Sequence, residues 1–323
     1  MTRHVLVIGG GQNAEHAVSL RSAAAIGDAL RSEGFEVSAL TIGRDGIWAD
    51  GRRPLGRSAA ASLAAALPLV ERADVVFPAV HGPCGEDGTL AALCALAQKP
   101  VAGSGLRAGA IGVDKWATKL VAKAVGIRTA PGRLVHAADV GEIDFETDVV
   151  VKPVSAGSSY GVTLARDAVQ LDEALIIASR YDEQILVEHV VHGREIAVGV
   201  LREADGSRWA APPLEMHATG LVDTAKKHRG SIRCTVPASL GSADRDMVTE
   251  AALALFDALG CAGVASVDFF LTEDGPVLNE VNTMPGMTAE SRVPRMFAVA
   301  GVSYEKLIAR LVGAATMPTA VPL

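Results

Sequence analysis

Short apolar runs on either side of an amphipathic stretch in the first quarter of the chain predict a parallel β-sheet. Residues 5–8 form a short apolar run that ends in glycines, and residues 15–30 follow as an amphipathic stretch. Residues 36–42 and 75–80 are predicted as further strands. Because strand, turn, helix and strand in succession make a βαβ unit, we expect a doubly wound, Rossmann-like N-terminal domain over residues 1–113.

The middle of the chain, residues 114–191, predicts a small separate lobe. Its predicted elements are a helix, two strands, a second helix and a third strand, at residues 114–126, 149–152, 162–164, 168–180 and 185–188. Small, flexible residues at 155–161 join the first two strands. This lobe is therefore expected to carry a mobile glycine- and serine-rich loop.

The last part of the chain, residues 192–323, predicts strands and helices around one long polar segment. The predicted elements are a strand, a helix, a two-stranded hairpin and a final helix, at residues 195–201, 243–259, 264–271 with 277–281, and 304–311. Residues 217–233 are polar, basic and without periodicity. A structureless stretch of this length in a compact domain is typical of a functional loop or lid.

Composition excludes several classes of protein. The 323 residues are 49% hydrophobic and 21% charged, which is typical of a globular protein rather than a disordered one. A net charge of −7 and only 4% aromatic residues argue against nucleic acid and anionic membranes as partners. We find no signal-peptide pattern, no apolar run long enough to span a membrane and no CxxC spacing, so we expect a cytoplasmic protein.

The glycines at positions 9–11 fit part of a dinucleotide-binding fingerprint. Gly9, Gly11 and Ala14 match G-x-G-x-x-A after a strand. Such sites place an acidic residue at the end of the second strand, whereas Glu36 begins it, so a nicotinamide oxidoreductase is the weaker interpretation. The alternative is a tight turn that brings a helix N-terminus to a ligand. Glu15 then either balances the helix dipole or binds a substrate ammonium, and both readings stay open.

Two adjacent strands near the C-terminus present oxygen ligands. Glu280 and Asn282 are two residues apart and share a face, and Asp268 on the paired strand can point to the same side. Converging carboxylate and amide oxygens suit Mg²⁺ that also binds nucleotide phosphates. A solvated edge face is the alternative, but apolar neighbours favour the metal site because burying unpaired carboxylates is costly.

Two lysines supply candidate phosphate ligands. Lys115 lies at the start of the middle lobe, and Lys152 closes an apolar strand directly before the small-residue loop. Backbone N–H groups of that loop can wrap phosphates. Surface lysines beside a flexible hairpin are the alternative interpretation. The segment from Glu188 to Glu195 is then the hinge, whose backbone can bind an adenine and whose acidic side chains can bind a ribose.

Four segments together resemble the D-alanine–D-alanine ligase family of ATP-grasp enzymes. They are residues 10–20, 81–89, 152–161 and 279–292, and the match covers essentially the whole chain. The resemblance implies an α/β fold, α+β within the ATP-grasp part, in three domains. It implies a homodimeric, ATP-dependent ligase that activates one D-alanine as an acyl phosphate and joins it to a second, in peptidoglycan precursor synthesis.

The resemblance also implies a set of site residues. The residues expected to bind ATP are Lys115, Lys152, Ser158, Ser159, Glu188, His189, Val191 and Glu195. Those expected to contact the small-molecule substrates are Glu15, Ser19, His81, Lys227, His228, Ser291 and Arg292. Two Mg²⁺ ions, replaceable by Mn²⁺, are expected at Asp268, Glu280 and Asn282. The catalytic residues implied are Glu15, Ser158, which links Glu15 to the loop, and Gly286, whose N–H faces the oxyanion.

One departure from the family pattern concerns an arginine. The family has an arginine two residues before the metal aspartate, where this chain has Ser266. Losing a donor that supports a charged intermediate typically reduces the rate by about 10²–10³. Arg292 and Arg229 are the candidates to replace it. A degenerate, nucleotide-binding homologue without activity is the alternative that Ser266 leaves open.

A second departure concerns the predicted lid. The common ligases carry a tyrosine there, and this chain has none between residues 217 and 233. D-Alanine–D-lactate ligases also lack that tyrosine and use a histidine. His217, Lys226, Lys227 and His228 are the candidates for its place. A D-alanine–D-lactate ligase, or a ligase for another D-amino acid amide or ester, is therefore the alternative activity, and a solvated loop without a role in selectivity is the other interpretation.

Overall fold

Three β-sheets follow one another along the chain in the computed structural model, which describes residues 2–139, 141, 143–217 and 233–315. The helices of this part of the chain are α1 (His16–Ser32), α2 (Ala59–Arg72), α3 (Thr89–Leu96), α4 (Leu106–Val113), α5 (Lys115–Ala124), α6 (Ala168–Ala178), α7 (Ser242–Leu259), α8 (Arg292–Val299) and α9 (Tyr304–Gly313). None of these helices combines the length and apolar character that a membrane crossing requires.

Sixteen strands are described. They are β1 (His4–Gly10), β2 (Glu36–Ile42), β3 (Trp48–Asp50), β4 (Arg53–Pro54), β5 (Val75–Pro78), β6 (Arg128–Thr129), β7 (Gly132–His136), β8 (Val149–Pro153), β9 (Thr163–Ala165), β10 (Gln184–His189), β11 (Arg194–Arg202), β12 (Arg208–Ala210), β13 (Leu214–His217), β14 (Arg233–Thr235), β15 (Val264–Thr272) and β16 (Gly275–Asn282).

The first sheet has the order β4-β3-β2-β1-β5, and β1 pairs in parallel with both β2 and β5. Val5 and Val7 pack with α1, whereas Leu6 and Ile8 face the cluster that contains residues of α2 and α3. Because both faces of β1 are covered, its sequence is continuously apolar rather than alternating. This confirms the predicted βαβ unit with helices on both sides. Strands β3 and β4 add antiparallel pairs, so the sheet is mixed rather than purely parallel.

The turn after β1 explains its glycines without a dinucleotide. Gly10 has a φ of +95°, and a Cβ there would lie 2.2 Å from the carbonyl oxygen of Ile42. The N–H of Gly11 donates to the same oxygen at 2.8 Å. Packing of the turn against the end of β2 therefore requires glycine at this position.

The second sheet has the order β7-β10-β8-β9, with antiparallel pairing throughout. Val151 and Val187 pack against α6 through Leu171 and Leu175. Lys152 follows Val151 in β8, and Glu188 follows Val187 in β10. Because neighbouring residues of a strand alternate between faces, both side chains point to the face opposite α6. That face forms one wall of the candidate site.

The third sheet has the order β14-β13-β11-β15-β16-β6, with β12 paired to β11. α7 covers one face of this sheet, and α8 covers the other near Gly199. A Cβ on Gly199 would lie 3.3 Å from the ring of Phe297 and 3.4 Å from Met296, so α8 lies close against β11. Strands β13 and β14 pair on either side of the segment predicted as a lid.

Candidate active site

An open cleft with a volume of about 400 Å³ separates the second sheet from the third. Lys152 and Glu188 line it from the second sheet, and Asp268, Glu280 and Arg292 line it from the lobe of the third. Its back is the connection between the two sheets, from which His189, Val190, Val191, His192, Gly193 and Glu195 contribute to the lining. The structure therefore brings the predicted hinge, both predicted walls and Lys115 to one cavity.

A buried carboxylate between two lysines lies on the second-sheet wall. Glu188 forms ion pairs with Lys119 and Lys152, and all three side chains are at most one-tenth exposed. Lys119 also donates to the carbonyl oxygen of Ala130 at 2.6 Å. Burial raises the pKa of Glu188, but the two ammonium groups lower it by more, so the pKa lies below its ordinary value. Glu188 is therefore a fixed anion that orients Lys152 at the cleft.

Sequence reasoning missed Lys119. It belongs to a helix with lysines at 115, 119 and 123, a spacing of four that is also typical of a solvated helical face. In the structure Lys123 is exposed, whereas Lys119 is buried against β10. Only tertiary packing distinguishes the two.

Lys115 binds the backbone at the start of the small-residue loop, residues 155–161. Its Nζ donates to the carbonyl oxygen of Ala156 at 2.7 Å, and its backbone N–H donates to Val154 at 3.1 Å. Ser158 and Ser159 within the loop have φ values of 49° and 59°, a conformation that side-chain-bearing residues rarely adopt. Such left-handed backbone turns successive N–H groups toward a common point, which suits an anion.

The loop contacts the N-terminal lobe through a serine–glutamate pair. The Oγ of Ser158 donates to Oε1 of Glu15. Glu15 precedes α1 as its N-cap residue, and a Cβ on Gly82 would lie 3.1 Å from its Oε2. The side chain therefore points at the loop and at the segment after β5.

His81 and Ser19 are placed differently from each other. His81 is buried; its Nε2 hydrogen-bonds with Ser22 Oγ at 3.0 Å and its Nδ1 with the Met284 carbonyl oxygen at 3.2 Å. These residues border a second, small cavity of about 30 Å³. Ser19 donates to the Ala79 carbonyl and accepts from the Gly10 N–H, so its contacts join β1 and β5 within the lobe. Ser22 was not anticipated from the sequence.

The acidic wall depends on a β-bulge in the β15–β16 hairpin. The regular pairing ends at Phe269 opposite Leu278, and the next pair is Asp268 opposite Glu280, so Asn279 is the extra residue. Ser266 is opposite Asn282. Because residues two apart share a face, Asp268, Glu280, Ser266 and Asn282 lie on the same side of the hairpin.

Asp268 is held by two donors. Ser266 Oγ donates to its Oδ1 at 2.7 Å, and Arg292 Nη1 lies 3.3 Å from its Oδ2. Asn282 Oδ1 accepts from the N–H of Met284 at 2.8 Å and is not among the residues that line the cleft. Within the described ranges no three histidine, cysteine, aspartate or glutamate side chains cluster as a metal site. The predicted site consists of two carboxylates and one amide.

The segment after β16 carries the remaining candidates. A Cβ on Gly286 would lie 3.2 Å from Ser291 Oγ, which shows how close the two residues are. The N–H of Thr288 donates to the same Oγ at 3.1 Å. His217 ends β13 and its Nε2 hydrogen-bonds with Thr235 at 2.9 Å. Three lid candidates, Lys226, Lys227 and His228, lie outside the described residues, as does Arg229.

Nearly the whole chain matches known proteins. A family model for the D-ala D-ala ligase N-terminus matches residues 4–104, and one for the D-ala D-ala ligase C-terminus matches residues 135–313. A D-alanine–D-alanine ligase of Mycolicibacterium smegmatis is 37% identical, with 96% of this chain and 95% of that protein covered. One of Streptomyces coelicolor is also 37% identical, with 96% and 92% covered.

Solved structures agree with this match. The VanG D-Ala:D-Ser ligase of Enterococcus faecalis superposes with a TM-score of 0.81 at 27% identity, covering 97% of this chain and 99% of that one. The D-alanine–D-alanine ligase of Coxiella burnetii superposes with a TM-score of 0.78 at 27% identity, covering 96% and 93%. The predicted α/β fold with an ATP-grasp part is thereby confirmed. The chain belongs to the D-alanine–D-alanine ligase family.

Proposed function

We propose that the protein is an ATP-dependent ligase that joins two D-alanine molecules into D-alanyl-D-alanine. The observation that carries this proposal is the continuity of the site. One cleft joins the lysine–glutamate wall to the Asp268–Glu280 hairpin, and the contact between Ser158 and Glu15 extends it into the N-terminal lobe. Membership of the ligase family over nearly the full chain supports the same activity.

ATP occupies the cleft between the second and third sheets in this proposal. The hinge residues His189 and Val191 hold the adenine, and Glu195 binds the ribose. Lys152 and Lys115 hold the phosphates, together with the N–H groups of the Ser158–Ser159 turn. Glu188 keeps Lys152 in place through its ion pair.

The acidic wall suits Mg²⁺ by its donor chemistry. Asp268 is buried and directly opposite Glu280, so two carboxylates reach the cleft from neighbouring strands. Asn282 completes the proposed set, and two ions, replaceable by Mn²⁺, are expected. When bound, Mg²⁺ supplies positive charge that neutralises the phosphate oxygens during transfer.

The reaction has two steps that balance. A carboxylate oxygen of the first D-alanine attacks the γ-phosphorus of ATP, the bond to ADP breaks, and an acyl phosphate forms. The amine of the second D-alanine then attacks the acyl carbon, loses a proton and expels phosphate. Phosphoryl transfer of this kind depends on positioning and on electrostatic stabilisation, which the lysines and carboxylates of the cleft provide.

The substrate residues are proposed from the resemblance to the family. Glu15 binds the ammonium of the first D-alanine, beside the His81 imidazole. Ser158 is a positioning residue, because it fixes the Glu15 carboxylate against the loop. The Gly286 N–H donates to the oxyanion, and Ser291 Oγ contacts the second carboxylate. Ser19 acts through the end of β1, where its hydrogen bonds hold the turn before Glu15.

Three further properties belong to this proposal. Residues 1–113, 114–191 and 192–323 are its three domains, with residues 217–233 as the lid. The two-residue strand β6, although within the second range, pairs with β16 of the third sheet. A homodimer in the cytoplasm is expected from the family, and both statements stay predictions.

A second candidate is a ligase with another acceptor. The lid lacks the tyrosine of the common ligases, and a solved structure similar to this chain is a D-Ala:D-Ser ligase. A basic lid favours an anionic acceptor that has no ammonium group, such as D-lactate. Lys227 and His228 are the residues proposed to make that selection.

The test is phosphate release from ATP and Mg²⁺ with mass analysis of the products. Reactions contain D-alanine alone, D-alanine with D-lactate, D-alanine with D-serine, or L-alanine as the control. The proposal expects D-alanyl-D-alanine from D-alanine alone and no product from L-alanine. Product only with D-lactate or D-serine would favour the second candidate, and no amino-acid-dependent phosphate release in a protein that binds ATP would refute both.

A further inference from the structure

Arg292 occupies an unusual position at the acidic wall of the cleft. It is the first residue of α8, and its Nη1 contacts both Asp268 Oδ2 and the sulfur of Met216. Its side chain is 38% exposed, so the guanidinium is packed on one side and open to the cleft on the other. Asp268 and Glu280 both face it and raise its pKa, so it stays charged at every working pH.

Helix stability does not explain an arginine at this place. The N-terminus of a helix carries a partial positive charge and disfavours a cation in its first turn. A long side chain also loses rotamer freedom when it is held in one geometry. The charge is instead stabilised by Asp268 of the β15–β16 hairpin, whose carboxylate it contacts.

The sheet is shaped to let this helix approach. Gly199 on β11 pairs with Ser266 on β15, so two small residues lie side by side beneath α8. Val293, Met296 and Phe297 of α8 all come within 3.6 Å of the Cβ position of Gly199. Because the Ser266 side chain is small, the helix can pack above it. The Ser266 hydroxyl donates to Oδ1 of Asp268, whereas Arg292 contacts Oδ2.

Arg292 is also distinctive as a positive charge beside the acidic residues of the cleft. Among the described residues that line the cleft, Lys115, Lys152 and Arg166 come from the middle part of the chain. Among the described residues of the range 192–323, Arg292 is the arginine or lysine that contributes to that lining. Negative charge that develops beside the hairpin therefore meets this guanidinium.

We propose that Arg292 is a catalytic residue that binds the acyl phosphate and the tetrahedral intermediate from the start of α8, with Ser266 leaving the room that this requires. The inference rests on the proposed ligase function. A guanidinium presents several donors in a fixed plane and matches phosphate oxygens with two parallel hydrogen bonds. It lines the cleft next to Asp268, where negative charge develops during the proposed reaction.

The experiment compares Arg292→Leu with Arg295→Leu, a matched control one turn further along the same helix. Each variant is assayed for kcat, for KM of ATP and D-alanine, for Mg²⁺-ADP binding by calorimetry, and for binding of a phosphinate analogue of D-alanyl-D-alanine. We expect Arg292→Leu to lower kcat by about 10²–10³. We expect it to weaken binding of the phosphinate analogue by a similar factor and to leave the affinity for Mg²⁺-ADP within threefold of the wild type. Arg295→Leu is expected to change neither kcat nor either affinity.

Two further variants separate catalysis from folding. Arg292→Lys keeps the charge and is expected to retain at least tenfold more kcat than Arg292→Leu. In the double variant Ser266→Arg with Arg292→Leu, the cation is supplied from the strand, and we expect at least tenfold recovery. Such recovery would show that a cation beside Asp268 supports the reaction whether the strand or the helix carries it.

The outcomes distinguish the two levels of the proposal. If the wild-type protein makes the dipeptide and Arg292→Leu matches Arg295→Leu in kcat and analogue affinity, the role of Arg292 is overturned and the ligase function stands. Loss of Mg²⁺-ADP binding by Arg292→Leu would also overturn it, because that result indicates a structural role. A wild-type protein that forms no dipeptide overturns the ligase function and this inference with it.

Discussion

Replacing Lys119 with methionine removes one of the two ammonium groups that compensate the buried Glu188 carboxylate. Two unit charges about 4 Å apart attract by about 4 kcal/mol at an effective dielectric constant near 20. The variant also leaves the Ala130 carbonyl without the donor it has at 2.6 Å, which costs about 1–3 kcal/mol when the carbonyl is buried.

Two effects make the expected loss of stability smaller than these two contributions together. The variant no longer buries an ammonium group, whose removal from water costs several kcal/mol, and Glu188 keeps its pair with Lys152. We therefore expect the lower end of the range for breaking a buried pair, about 3 kcal/mol. At about 2.1 cal/mol/K of unfolding entropy per residue, Tm of a 323-residue chain falls by about 1.5 °C per kcal/mol, so we expect a fall of roughly 4–5 °C.

Nucleotide binding should change as well. Without Lys119, Lys152 is the remaining described cation on Glu188, so turning it toward the phosphates of ATP would leave a buried carboxylate uncompensated. We expect at least about a tenfold loss of ATP affinity, which is about 1.4 kcal/mol. Calorimetric titration with Mg²⁺-ATP and scanning calorimetry measure the two effects.

Lys123→Met is the matched control, because Lys123 lies one turn further along α5 and is exposed. It should keep the Tm within about 1 °C and the ATP affinity within a factor of two, as is usual for a surface substitution. The reasoning would be refuted if Lys119→Met and Lys123→Met behaved alike in both measurements.

Three other predictions are independent of catalysis. The pKa of Glu188 is lowered on folding, so its contribution to folding stability is fully present above about pH 4.3 and is lost as the pH falls through the pKa of the folded state. Between about pH 5 and pH 3, Tm should therefore drop less in Glu188→Gln than in the wild type. Burial raises the pKa of Cys94 to about 11 and of Cys261 to about 12, so a thiol reagent at pH 8 should modify exposed Cys84 and spare both until denaturant is added; rapid loss of all thiols in the native protein would contradict this. A Cβ on Gly85 would lie 1.7 Å from a backbone oxygen, so Gly85→Ala should lower stability by roughly 3 kcal/mol in a denaturant titration, and an unchanged midpoint would contradict it.

Local patterns predicted the strands and helices that carry the site. The apolar run before the glycines is β1, and the alternation around Asp268 and Glu280 is the β15–β16 hairpin. Such elements are predictable because hydrophobic periodicity is set by neighbours within the same segment. The same holds for Lys152, which ends an apolar strand and faces the cleft.

Contacts between distant segments could not be predicted in this way. In an unbroken hairpin register Asp268 would face Asn279, and only the bulge turns Glu280 to its side. The contact between Arg292 and Asp268 depends on two small residues of neighbouring strands beneath α8. Bulges and helix packing are tertiary features, whereas a sequence pattern reports local ones.

The central claim is that the first D-alanine is activated through its own carboxylate. D-Alanine labelled with ¹⁸O in both carboxylate oxygens, ATP and Mg²⁺ are incubated with the protein in unlabelled water, and the released phosphate is analysed by mass spectrometry. The account predicts one ¹⁸O atom per phosphate, because the bridging oxygen of the acyl phosphate leaves with phosphorus when the amine attacks carbon. Dipeptide formation accompanied by unlabelled phosphate would contradict it, since the phosphorus would then have taken its oxygen from water.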